Sequence, residues 1–149
     1  MAKRRKTSRQ RAEERIAKRG DAAFLTHEFR DLGDERQVLR ALRELTDEGK
    51  LIRLGYGVYA RAELSELTGR PMLATDDGFL GAARQALDKL GVPWELTEFQ
   101  RAYNEGRSTQ VPVNAAVRVK SRFARKLSHH GRQLIVERPA RPSPHAAGT

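Results

Sequence analysis

The sequence predicts an α+β fold, on three observations. Apolar residues recur at helical spacing between Asp34 and Gly49. A run rich in β-branched and aromatic residues, interrupted by Gly55-Tyr56-Gly57, follows at once. From Ala115 onward the apolar period shortens to two. The first two observations place a helix and a hairpin in immediate succession, and the third places strands towards the end of the chain.

Taken in order, residues 1–8 read as a disordered basic arm. A charged helix then runs to Arg19 with Ala12, Ile16 and Ala17 as its narrow apolar stripe, and Gly20 ends it. Thr26 to Leu32 reads as a short helix capped by Thr26, with Phe29 and Leu32 turned inward. Gly33 can end that helix, Asp34 can cap the next, and Gln37 can complete a capping box. Val38, Leu39, Leu42 and Leu45 then form one stripe, while Arg36, Arg40 and Arg43 fall on another face. Gly49 stops the helix. Leu51–Leu54 and Val58–Ala60 read as strands, joined by a loop whose two glycines permit the positive φ of a tight hairpin. Two helices meeting at Gly33, followed by a hairpin, predict a winged helix-turn-helix over residues 9–62.

Residues 63–76, with Gly69 and Pro71, read as a connector. Residues 77–137 read as a small helix-plus-antiparallel-sheet unit. Asp77 can cap a helix striped by Phe79, Ala83, Ala86, Leu87 and Leu90, closed by Gly91 and Pro93. Thr97 and Gln100 make a second capping box. Val117 and Val119 alternate with Arg118 and Lys120, Leu134 and Val136 alternate with Ile135 and Glu137, and His130-Gly131 is a plausible turn. Residues 138–149, carrying Pro139, Pro142 and Pro144, have too little apolar surface to be ordered.

Composition bounds the function. With 149 residues, 38% hydrophobic and 32% charged, the chain holds one compact domain or two very small ones, which excludes a large enzyme core. The absence of cysteine excludes disulfides and thiolate metal sites. No apolar run approaches the ~18 residues of a membrane span, and the basic start lacks the apolar stretch of a signal peptide, so a soluble cytoplasmic protein is expected. The net charge of +10 is uneven: +7 in residues 1–20, −2 in 21–60, −2 in 61–110 and +7 in 111–149. Basic ends suit a polyanion, because phosphate neutralisation supplies most nonspecific nucleic-acid affinity.

Arg36, Gln37, Arg40 and Arg43 are the expected DNA-reading face, since arginine suits guanine and glutamine suits adenine. Lys50, Arg53 and Tyr56 are expected on the wing, and Tyr59 in the core. Arg118, Lys120, Arg122, Arg125, Lys126 and Arg132 have no acid between them and read as a surface for phosphates or an acidic partner. His129 and His130 are adjacent, which on a strand sends them to opposite faces and disfavours shared metal ligation. No catalytic constellation, metal site or cofactor motif is expected, so the chain reads as a binding protein rather than an enzyme. An RNA- or ribosome-associated binder, and a winged helix that binds protein instead of DNA, are the alternatives.

The pattern Phe24-Leu25-Thr26, Phe29, Leu32-Gly33, Val38, Ala41-Leu42, Leu45, Gly49, Ile52-Arg53-Leu54 and Gly57-Val58-Tyr59 resembles the N-terminal winged-helix domain of AbiEi-type antitoxins, from bacterial type IV toxin-antitoxin (abortive infection) systems. Ser108-Thr109-Gln110-Val111-Pro112 and the strands after it resemble a short branch of that superfamily, so that the likeness spans residues 10 to 137. The resemblance implies a regulator that binds repeats in its own promoter and, as in longer members, a partner toxin of nucleotidyltransferase type. Tyr56 stands where related wings often carry arginine, and the C-terminal unit is shorter than in full antitoxins.

Overall fold

A computed structural model describes residues 5–75, 77–123 and 125–138. Helix α1 spans Ser8–Lys18. The Thr7 hydroxyl accepts the Gln10 N–H at 3.1 Å and the Gln10 side-chain oxygen accepts the Thr7 N–H at 2.9 Å, so the expected disordered arm of residues 1–8 ends in an ordered capping box. Residues 1–4 of that arm lie outside the described residues.

Strand β1 (Ala23–Leu25) leads into a 3-10 helix, Thr26–Leu32. Thr26 does not cap it: its hydroxyl is buried without a partner among the described residues, and the Glu28 carboxylate instead takes the Leu25 N–H at 2.7 Å. Helix α2 (Glu35–Asp47) has the expected capping box, with Asp34 accepting from Gln37 N–H at 2.8 Å and Gln37 accepting from Asp34 N–H at 3.0 Å. Gly33 between them is extended (φ 161) rather than left-handed. A Cβ there would displace the Gln37 side-chain oxygen that completes the cap and would crowd Ser8 Oγ. The buried stripe of α2 is Val38, Ala41, Leu42 and Leu45. Leu39, expected inward, is 42% exposed; at 100° per residue it falls nearer Arg36 and Arg43 than the stripe.

The hairpin is β2 (Leu51–Gly55) and β3 (Val58–Leu64), antiparallel, with a register shift between Arg53 and Gly55. Only Gly57 uses left-handed backbone there (φ 68). The expected connector of residues 63–76 contains the end of β3 and a further strand, β4 (Pro71–Leu73), which pairs antiparallel with β3. The main sheet runs β1-β3-β2.

Both faces of this sheet are buried, which is why Ala23-Phe24-Leu25 and Val58-Tyr59-Ala60 lack polar alternation. Phe24, Leu51 and Tyr59 face Ala12 and Ile16 of α1, Phe29 and Leu32 of the 3-10 helix, and Val38, Leu42 and Leu45 of α2. Ala23, Leu25, Leu54, Val58 and Ala60 face the other way, into one cluster with Ala82, Ala83, Ala86 and Leu87 of helix α3 (Gly78–Lys89) and with Val117, Val119, Leu127 and Leu134. The C-terminal half therefore supplies a third layer. At ~1.5–3 kcal/mol for each large side chain fully buried, that layer is a major part of the stability of the sheet.

Asp77 makes no side-chain cap to α3. Helix α4 (Glu98–Asn104) keeps the expected capping box of Thr97 and Gln100, and the Gln100 amide donates onward to the Ala116 carbonyl at 2.9 Å. The remaining strands are β5 (Ala116–Arg118), β6 (Ser128–His129), β7 (Arg132–Gln133) and β8 (Ile135–Glu137). β6 and β7 form a small antiparallel hairpin whose turn, His130-Gly131, has positive φ at both residues. β5 pairs with β8 in parallel, not antiparallel as expected, because the chain turns twice between them, once in the 119–127 connection and once at the β6–β7 hairpin. Val117, Val119 and Leu134 are inside and Ile135 outside as period two expects, but Ala116, next to Val117, is buried as well. Of the tail expected at 138–149, residues 139–149 lie outside the described residues. The chain is an α+β protein of helices and small, mostly antiparallel sheets.

Candidate functional site

The outward face of α2 carries Arg36, Arg40 and Arg43, all exposed, with Leu39 among them. Their exposure follows from the buried stripe, which takes the opposite side of the helix. Arg40 Nε lies 3.3 Å from Glu44 Oε1, an exposed i,i+4 pair of the kind worth ~0.3–0.5 kcal/mol and readily exchanged for a stronger anion. Arg36 and Arg43 have no ion-pair partner among the described residues. Gln37 differs from its neighbours: its side-chain oxygen is committed to the Asp34 N–H, so the two-bond reading of adenine that glutamine can make would require opening the cap.

The expected wing residues separate. Lys50 precedes β2, about 16 Å of extended chain from the Gly55 end. Its ammonium pairs with Glu13 of α1 and lies 3.9 Å from Glu48. Lys50 fastens α1 rather than extending the hairpin tip, and its ion pair, despite the burial cost, holds the Glu13 carboxyl below its ordinary range. Arg53 stays on the hairpin, with Nε donating to the Gly55 carbonyl at 3.2 Å, and Tyr56 is 79% exposed at the tip.

The structure brings part of the C-terminal basic set to this tip. Arg125 Nη1 donates to the Tyr56 carbonyl at 3.2 Å, and the Lys126 carbonyl packs on Gly55 where a Cβ would collide with it. Arg118 goes elsewhere, 3.7 Å from Glu95 and bridged to it through the backbone. Lys120, Arg122 and Arg132 are exposed. His129 and His130 are not on opposite faces, because His130 turns with φ 52; their ring centroids are 3.9 Å apart, and burial, then His130, pushes the His129 imidazole down. Among the described residues no group of three or more His, Cys, Asp or Glu could hold a metal ion.

Much of the described N-terminal charge is already paired. Lys6 lies 2.7 Å from Glu14, Arg9 pairs with Glu13 and Glu48, and Arg15 holds Asp31 through two 2.7 Å bonds. That pairing draws the Asp31 carboxyl down to about 2. Arg5, which precedes α1, and Arg11 and Lys18 of α1 line an open cleft that also includes Gln37.

Two supporting groups were missed in the sequence. Arg61 donates to the carbonyls of Ile16, Arg19 and Asp21, tying the end of α1 to the sheet. Lys89 on α3 donates to Asp21 at 2.8 Å, Glu28 at 2.9 Å and the Ala23 carbonyl at 2.7 Å, over the Phe24 ring. One turn earlier, Gln85 accepts the Ala23 N–H at 2.7 Å. The i,i+4 spacing of Gln85 and Lys89 was legible; their partners, more than 60 residues away, were not.

The fold and site define an α+β protein presenting a cationic helix face beside a glycine-tipped hairpin. No helix among the described residues is long and apolar enough to cross a membrane. The chain belongs to DUF6088, a family of unknown function whose model matches residues 11–144, a span that includes both α2 and the basic C-terminal residues. No curated protein and no solved structure matches it.

Proposed function

We propose that the 3-10 helix, α2 and the β2–β3 hairpin act as a winged helix-turn-helix, and that the protein is a cytoplasmic, antitoxin-like transcriptional regulator that binds duplex DNA. The observation that carries this reading is the exposed stripe of Arg36, Arg40 and Arg43, opposite the buried stripe of α2 and followed at once by the hairpin. The major groove, ~12 Å wide, admits a helix, and the N-terminal residues of such a helix reach base edges. Arg36 and Arg40 are the base-reading candidates, Arg43 a phosphate contact, and Arg53 and Tyr56 the wing contacts to the adjoining backbone. Gln37 acts by holding the first turn of α2.

The resemblance to AbiEi-type antitoxins supports the same reading, because Phe24, Phe29, Leu32, Val38, Leu42, Leu45 and Tyr59, which carry it, are the residues that hold α2 to the sheet. Regulation of its own promoter and a partner toxin are proposals that rest on this likeness.

The test is binding of the full chain to a duplex carrying the region upstream of its own reading frame, at fixed salt. Arg40→Ala should weaken binding by about 1–3 kcal/mol, roughly 5- to 150-fold, with unfolding unchanged. Gln37→Ala should do the reverse, lowering stability by roughly 0.5–1.5 kcal/mol through the lost bond to the Asp34 N–H and leaving base preference alone. Native affinity in Arg40→Ala would remove α2 as the reading helix.

A further inference from the structure

The structure assigns a second half to the wing: the segment around Arg125 and Lys126, docked on the hairpin tip, is a preorganised contact for the sugar-phosphate backbone of duplex DNA beside the groove that α2 reads. This rests on the winged-helix reading and deepens it by naming what the C-terminal layer contributes.

Three observations carry the inference. The first is close packing. The Lys126 carbonyl lies against Gly55 so tightly that no side chain fits there, and Leu127, 1% exposed, packs into the same cluster as Leu54 of β2. The Leu127 carbonyl is held in turn by the Leu134 N–H at 2.7 Å. Gly55 has no left-handed backbone to explain it, so close approach is what the glycine provides. The second is the Arg125 bond to the Tyr56 carbonyl, which uses one of five guanidinium donors and leaves the others to an anion at the tip. An arginine already held loses less rotamer freedom on binding than one on a free arm. The third is charge. Arg122, Arg125, Lys126 and Arg132 are exposed and no Asp or Glu lies between Val119 and Val136, whereas on α2 the arginines share their helix with Glu35, Glu44 and Asp47. Nearly neutral α2 is suited to discrimination, and the acid-free segment beside the wing to holding a polyanion of any sequence.

The experiment measures the slope of log affinity against log salt for the full chain, on the upstream duplex, on a random-sequence duplex of the same length and on a structured RNA. Each phosphate contact adds ~0.9 to the slope on duplex DNA. Replacing Arg125, Lys126 and Arg132 together by Gln should flatten it by about 2–3 on both duplexes, leaving the ratio of specific to random affinity unchanged. Gly55→Ala, which removes no charge, should flatten it as well by displacing the segment. Since Gly55→Ala also disturbs packing, its unfolding midpoint is measured alongside, and the triple variant, altered only at exposed positions, decides if Gly55→Ala fails to fold. A native slope in the triple variant overturns the inference and leaves the winged helix standing. Loss confined to the RNA assigns the segment to RNA and overturns it too. A native chain that binds neither duplex at low salt removes both readings.

Discussion

Lys89 carries consequences out of proportion to its place on the surface of α3. Its ammonium satisfies two carboxylates and a main-chain carbonyl of the first sheet strand, with 19% of its side chain exposed. Replacing it by Met removes the ammonium from over the Phe24 ring, leaves Asp21 without this cation and leaves Glu28 to Arg19, 3.0 Å away. Removing one partner from a charged, partly buried network costs more than the bond itself contributes, so Lys89→Met should lower stability by about 1–3 kcal/mol in denaturant unfolding. Gln85→Ala, which frees only a neutral amide, should cost about 1 kcal/mol. A Met variant as stable as the Gln85 variant would mean that the ammonium is solvated rather than structural. The exposure of Arg36, Arg40 and Arg43 follows from local periodicity and was legible in the sequence. The commitment of Gln37 to its cap, the capture of Lys50 by Glu13 and the contact between Gly55 and Lys126 depend on which distant groups arrive, and no spacing in the chain encodes that.

At the scale of elements, α1 is attached largely by charge. Only Ala12 and Ile16 of this helix are buried, while Arg9, Glu13 and Arg15 hold it to α2, to the residue before β2 and to the 3-10 helix. Asp31 has a folded pKa of about 2 against an ordinary 3.8, so its contribution is fully present above pH 3.8 and is lost as the pH falls towards 2; Glu13, also depressed by Lys50, acts in the same sense. The amides of α1 should therefore lose hydrogen-exchange protection as the pH falls through this window, before those of α2. Asp31→Asn should show a smaller change across it. Equal pH dependence in the two proteins would mean that the helix is held by its apolar stripe instead. The helices and their capping boxes at Asp34 and Thr97 were readable because a cap and its helix lie within one turn. The parallel pairing of β5 with β8, by contrast, takes a second turn of the chain before the β6–β7 hairpin, and period-two alternation says nothing of strand direction.

For the whole molecule, the decisive arrangement is a sheet enclosed on both faces. Leu54, Val58 and Ala60 share a cluster with Ala83, Leu87, Val117 and Leu127, so the two halves have a core face in common. Thermal unfolding should be a single transition with equal calorimetric and van't Hoff enthalpies, and a chain ending at residue 76 should not fold cooperatively. Two resolved transitions would show that the halves are independent. The edge of the same sheet has a further consequence. The N–H and C=O of Ala23 and the N–H of Leu25 are the groups through which a strand from a neighbouring molecule would add itself to β1, and Gln85, Lys89 and Glu28 occupy all three. These side chains act as a guard against self-association: a concentrated solution of a chain stripped of them is where edge-to-edge aggregates of this protein should first form.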